Sequence, residues 1–184
     1  NGLFTMLLSV QSIGVNALKE CVIVTEIEFC SGLGTIGVNV FAGCTGLKTL
    51  TVNNNVKAIG ANAFSGCTGI ETLVIGNNVE AIGDYAFKGC VGLKDVTIGD
   101  GVATLGKYAF EGCTGITKLT LGKGITTIPD YAFVGCSGLT TVVIPENVKE
   151  IGEGAFKDCA ELVSVVFTKG LTTIGDCAFE NCQS

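Results

Sequence analysis

The sequence predicts an α/β repeat folded as a solenoid, with short parallel strands on one face and short helical turns on the other. Three observations carry that reading. Phenylalanine recurs every 23 residues, at Phe41, Phe64, Phe87, Phe110, Phe133, Phe156 and Phe179, and a cysteine follows each one three residues later. Within each period two apolar residues stand two apart and run into a two-residue turn, as Leu73 and Ile75 do before Asn77 and Asn78. A unit of 23 residues cannot bury its own apolar face, so neighbours must stack into a continuous core.

Taken in chain order, the first residues already keep the phase. Phe4, Met6 and Val10 stand where Leu50, Val52 and Val56 stand two periods later, and Leu18 holds the aromatic place before Cys21. The column Ile27, Leu50, Leu73, Val96, Leu119, Val142 and Val165, with its partners Phe29, Val52, Ile75, Ile98, Leu121, Ile144 and Phe167, reads as a short strand with these side chains inward.

A turn follows at Asn54-Asn55, Asn77-Asn78, Asp100-Gly101, Lys123-Gly124, Glu146-Asn147 and Lys169-Gly170. Its second place is always Gly or Asn, which predicts a positive φ there. A second extended piece, residues 79–82 and their equivalents, carries the column Ile13, Ile36, Ile59, Ile82, Leu105, Ile128, Ile151 and Ile174. The stretch around Tyr85, Ala86 and Phe87 is expected to make one or two helical turns. Asp84, Asp130, Glu153 and Asp176 would precede them, where negative charge favours a helix N-terminus. The 184 residues hold eight such periods, so a single solenoid domain of eight units is expected, with no evident capping repeats.

Composition excludes several functions. The chain carries 17 acidic and 11 basic residues, every base is a lysine, and the net charge is −6. Phosphate recognition wants a cationic surface and arginine forks, so nucleic acid is not an expected partner. Histidine is absent, which removes the commonest general base and metal ligand. No apolar run reaches the length of a membrane span. The sequence begins at Asn1 with no initiator Met, no basic n-region and no cleavage pattern, so it reads as a mature form, a fragment or a portion of something longer.

Ten cysteines would signal a disulfide framework in a small secreted chain. Here eight of them, Cys21, Cys44, Cys67, Cys90, Cys113, Cys136, Cys159 and Cys182, occupy one repeat position. Stacked in register, their Cα–Cβ vectors run parallel, which does not suit a disulfide, and no C-x-x-C pair offers a zinc site. They read as buried free thiols filling the core. Cys30 and Cys177 lie off the column and are expected to be exposed and reactive.

The wording of the units, IGEGAFKDCAELVSVVF from Ile151 and SGLTTVVIPENV from Ser137, closely resembles the BspA-type leucine-rich repeat. The resemblance covers residues 13–184 well and 1–12 loosely, departing from the pattern where Leu18 replaces Phe and Glu20 precedes the cysteine. It implies a right-handed leucine-rich-repeat solenoid and surface or extracellular proteins used in adhesion and protein contact. It brings no catalytic residues, so no enzyme, cofactor or metal is expected.

Two surfaces are candidates for function. The outward column of the strand face reads Thr51, Val74, Thr97, Thr120, Val143 and Val166, a mild and nearly uncharged face that lacks the Trp, Tyr and Arg anchors of protein hot spots. The ends are the other. Free-standing solenoids finish on polar repeats, whereas Phe4, Met6 and Val10 at one end and Leu171, Ile174, Phe179 and Cys182 at the other are still core residues. An open end exposes on the order of 300–500 Å² of apolar surface, more than most monomers carry. The position after Ser184 has the phase of Asn1, so a second copy placed head to tail would continue the ladder. The expected function is a non-enzymatic surface or extracellular structural module. Its partner would be itself, stacked head to tail as a filament subunit, or the flanking repeats of a longer array. The alternative is an adhesin that binds a host or partner protein through the strand face.

Overall fold

In the computed structural model, which describes residues 3–5 and 9–183, the chain winds into stacked coils. The strands, in chain order, are β1 (Leu3–Thr5), β2 (Glu26–Glu28), β3 (Thr35–Ile36), β4 (Thr49–Val52), β5 (Ala58–Ile59), β6 (Thr72–Ile75), β7 (Ala81–Ile82), β8 (Asp95–Thr97), β9 (Thr104–Leu105), β10 (Lys118–Thr120), β11 (Thr127–Ile128), β12 (Thr141–Val143), β13 (Glu150–Ile151), β14 (Ser164–Val166) and β15 (Thr173–Ile174). Every recorded pairing is parallel and joins residues 23 apart, as Leu73 to Val96 and Ile59 to Ile82.

Two ladders result. The longer strands form β1-β2, then β4-β6-β8-β10, then β12-β14; the two-residue strands form β3-β5-β7-β9, then β11-β13-β15. Along β4 and β6 burial alternates, with Leu50, Val52, Leu73 and Ile75 inward, as period-2 spacing requires.

No helix forms among the described residues, and the backbone shows why the expected helical turns are absent. Each turn holds two left-handed residues four apart, Tyr85 (φ 57°) and Gly89 (φ 69°) in one, Tyr108 (φ 57°) and Gly112 (φ 68°) in the next. Left-handed residues cannot continue a right-handed helix. Alternate N–H groups turn sideways instead. Tyr85 donates to Lys107 O (3.0 Å), Phe87 to Ala109 O (2.8 Å) and Gly89 to Glu111 O (2.7 Å), while Lys88 and Cys90 close tight turns on Tyr85 O and Phe87 O. The carboxylates expected to cap helices bridge coils: Asp84 Oδ1 accepts from Lys107 N–H (2.8 Å) and Asp130 Oδ1 from Glu153 N–H (3.1 Å).

The Gly or Asn turn position is also corrected, because no positive φ occurs there. Its cause is a close approach to the coil before. A Cβ on Gly101 would collide with the Asn77 carbonyl oxygen. Where Asn stands instead, its side chain donates to the same carbonyl, Asn78 Nδ2 to Asn54 O at 3.1 Å and Asn147 Nδ2 to Lys123 O at 2.6 Å. Glycine makes room for that oxygen and asparagine binds it.

The core is a set of vertical stacks. Phe41, Phe64, Phe87, Phe110, Phe133, Phe156 and Phe179 lie ring on ring with centroids 5.1–5.4 Å apart and planes within 11°. Phe29 and Phe167 close the column edge-on at 6.2 and 6.1 Å. From Cys44 to Cys182 each column thiol donates to the carbonyl of the aromatic position one coil back, Cys67 Sγ to Phe41 O (3.0 Å) and Cys90 Sγ to Phe64 O (3.1 Å) among them. The thiol therefore fills space and also gives a second hydrogen bond to a carbonyl that already accepts from its own turn, as Phe41 O does from Cys44 N–H (3.1 Å).

Six of the seven ion pairs among the described residues join neighbouring coils at 23-residue spacing, such as Lys57–Glu80 and Lys94–Glu71. All are exposed, so each contributes at most about 1 kcal/mol. Lys94→Ala is expected to lower stability by less than ~1 kcal/mol in urea unfolding, and a loss above ~2 kcal/mol would show that the pair carries more than surface screening allows.

Candidate functional site

The strand face presents its outward column as expected. Thr51, Thr97 and Thr120 are exposed, as are Val74, Val143 and Val166, the last two at 57% and 50%. At the C-terminal ends of these strands lie two adjoining hollows. One of about 380 Å³ runs past Gly76, Gly99 and Gly122 between Asn54 and Asp100; the other, of about 410 Å³, lies around Leu121 and Pro145. They share Thr120 and Leu121, so the groove is continuous along the array.

The ends differ from the middle. At the C-terminal coil Ile174 is 51% exposed and Phe167 48%, although Ile151 and Ile144 one coil earlier are fully buried. Leu171, Phe179 and Cys182 are half-buried and pack on the core from one side. At the other end Val10, Ile13 and Leu18 are likewise half-buried. Met6 and the Phe4 side chain lie outside the described residues; the Phe4 backbone pairs with Ile27 in β1-β2.

All ten cysteines are free. Burial pushes the thiols up, Cys44 to about 11 and Cys67 and Cys159 to about 12, with Cys90 and Cys136 displaced in the same direction. Their thiolate forms are disfavoured. Cys30 is buried, against expectation, and donates to Val10 O at 3.1 Å. Its position is buried at Gly99 and Gly122 and half-buried at Asn53, Gly76, Pro145 and Thr168. Cys177 is exposed, on a left-handed backbone at φ 55°. The Glu180 carboxylate beside it raises its pKa, so its thiolate is disfavoured rather than activated.

A feature missed in the sequence is an outer aromatic stack. Tyr85, Tyr108 and Tyr131 lie 5.0 and 4.9 Å apart, half-buried, on the left-handed turn position. Their 23-residue spacing was the available signal. The Tyr131 hydroxyl donates to Glu153, which holds its pKa up at about 12. Among the described residues no cluster of three His, Cys, Asp or Glu side chains could hold a metal, and no helix is long and apolar enough to cross a membrane.

The sequence matches the BspA type leucine rich repeat region in six copies, over residues 4–98 and 57–184. The chain belongs to the BspA-type leucine-rich-repeat family. No curated protein is similar to it in sequence. Among solved structures this BspA-type chain is similar to a leucine rich repeat protein of T. pallidum (26% identity, TM-score 0.74, covering 78% of this chain and 67% of that one). It is also similar to a leucine-rich repeat protein of Eubacterium ventriosum (26% identity, TM-score 0.79, 86% and 43% covered). A third is a leucine rich cell surface protein of Faecalibacterium prausnitzii (25% identity, TM-score 0.60, 94% and 55% covered). The chain therefore spans about half the length of the latter two.

Proposed function

We propose that this BspA-type chain is a non-enzymatic interaction module of the cell surface, working outside the cell, whose open solenoid end stacks on another array of the same repeat. The observation that carries the reading is the exposure at the last coil. Ile174 and Phe167 occupy core columns, yet about half of each side chain meets solvent. A coil in the next register would bury them, and the natural supplier is a chain with the same period: a second copy docked head to tail, or further repeats. Such docking is heterologous and does not close on itself, so copies would grow as filaments. The surface location rests on the family and on the cell surface protein of Faecalibacterium prausnitzii.

Analytical ultracentrifugation of the 184-residue chain over a hundredfold concentration range tests this. The expected result is a ladder of species that Ile174→Asp with Leu171→Asp reduces to monomer. A monodisperse monomer at every concentration would sink the proposal.

A second reading is favoured by the line of exposed β-branched residues Val74, Val143 and Val166 on the strand face. As an adhesin, the chain would bind a host or partner protein there. Thr97→Lys with Thr120→Lys would then abolish capture of that partner while leaving end-to-end assembly intact.

A further inference from the structure

Both prolines of the chain lie in the unit that begins at Ile128, Pro129 where four other units donate an N–H to the coil before and Pro145 where one does. At the position of Pro129, Gly60 donates to Ile36 O (2.8 Å), Gly83 to Ile59 O (2.8 Å), Gly152 to Ile128 O (2.7 Å) and Gly175 to Ile151 O (2.7 Å). At the position of Pro145, Gly76 donates to Val52 O at 2.8 Å. Proline has no N–H and adds a ring. Even a Cβ is crowded at these places, coming 2.6 Å from Ala61 N at Gly83 and 2.6 Å from Asn54 Oδ1 at Gly76.

Both ladders stop at this seam, β9 from β11 and β10 from β12. The flanking seams make Ile98 N–H to Thr120 O and Ile144 N–H to Val166 O at 2.9 Å, but Leu121 N–H makes no such bond to Val143 O. The turn side stays joined through Phe110 N–H to Ala132 O and Gly112 N–H to Val134 O, both 2.8 Å. Leu105, Leu119 and Leu121 are consequently 6%, 9% and 8% exposed, against 1%, 1% and 2% for Ile82, Val96 and Ile98 one coil earlier. A Cβ alone does not open a seam, since Thr168 at the same position as Pro145 leaves β12 paired with β14.

On the strand face the opening becomes the hollow of about 410 Å³, with Leu119, Leu121, Val143 and Pro145 in its lining. Thr168 also lines it, with a buried hydroxyl that has no hydrogen-bond partner. Lys123 and Glu146 stand in the same lining, neither in an ion pair among the described residues. We propose that this hollow binds an extended segment of a partner protein that inserts one large apolar side chain and flanks it with an acidic and a basic residue. The apolar lining takes the side chain, and the unpaired Lys123 and Glu146 take the flanking charges. An apolar lining beside a cation and a carboxylate outside any ion pair calls for a polypeptide, which carries an apolar side chain and both charges on neighbouring residues. Sites of this volume hold compact ligands in water-poor surroundings. The proposal does not depend on stacking of the ends.

A phage-displayed library of linear nine-residue peptides, selected on the 184-residue protein and followed by titration of the winners into ¹⁵N-labelled protein, tests it. Enriched sequences should share a large apolar residue between an acid and a base, and shift the amides of Leu121, Lys123 and Val143 to saturation. Val143→Glu, an exposed position that tolerates charge, should weaken binding at least tenfold. So should Pro129→Gly with Pro145→Gly, which lets both ladders close. Absence of enrichment, shifts confined to another surface, or undiminished affinity in both variants overturns the proposal. Saturation of the same amides by decanoate, with no selected peptide doing so, also overturns it and reassigns the hollow to a small apolar ligand.

Discussion

Raising the pH from 8 to 10 is expected to lower the unfolding free energy of this chain by on the order of 5 kcal/mol. The source is the thiol column. Desolvation holds Cys67 and Cys159 at about 12 and Cys90 and Cys136 well above their ordinary 9.0. A thiol whose folded pKa is raised stays protonated in the fold while the unfolded chain ionises. Its contribution is complete below pH 9 and is lost as the pH climbs from 9 towards 12. At pH 10 each of the four thiols costs on the order of 1 kcal/mol, about one decade of unfolded-state ionisation. Urea unfolding at the two pH values measures the sum, and Cys90→Ala should remove about a quarter of the difference. Equal stability at pH 8 and pH 10 would show that the thiols reach solvent.

Phe87→Ala is expected to cost about 3–5 kcal/mol, the range for deleting a fully buried aromatic side chain that cannot be replaced by collapse. The ring is held between Phe64 at 5.4 Å and Phe110 at 5.1 Å, and both neighbours are tied to their coils by turn hydrogen bonds, so the gap persists. Phe179→Ala provides the comparison, since that ring is half-buried and stacks on Phe156 alone, with Phe167 edge-on. It should cost clearly less. If urea midpoints fall equally for both variants, the stack does not act as a continuous column.

The strands and the inward columns could be read from the sequence because burial repeats every second residue and the whole pattern repeats every 23. The turn side reads as helical in the sequence because Ala and Phe there look like an apolar helix face. What decides that conformation is a left-handed pair four apart, and Tyr85, Tyr108, Tyr131 and Cys177 are residue types that give no notice of a positive φ. Cys30 is hard to place for a related reason: it occupies a column held mostly by Gly, Asn, Pro and Thr, and only the packing shows that it is buried. The seam was visible in principle. Pro129 and Pro145 are the only two prolines, but their effect depends on which N–H each replaces, and that becomes plain only when the coils are stacked.

The side-chain hydrogen bonds between coils span 20 to 26 residues wherever they occur among the described residues, from Cys30 to Val10 near the start to Cys182 to Phe156 near the finish. The chain therefore never closes a long loop. Each added coil brings the same closure entropy as the one before, so the cost of growth per unit is constant. Folding can begin at any adjacent pair and spread in both directions, and its rate should depend on the strength of one coil-to-coil contact rather than on total length. Removing 23 residues between equivalent points leaves every remaining contact in register. An array of this kind can lengthen or shorten by whole coils without having to solve its fold again.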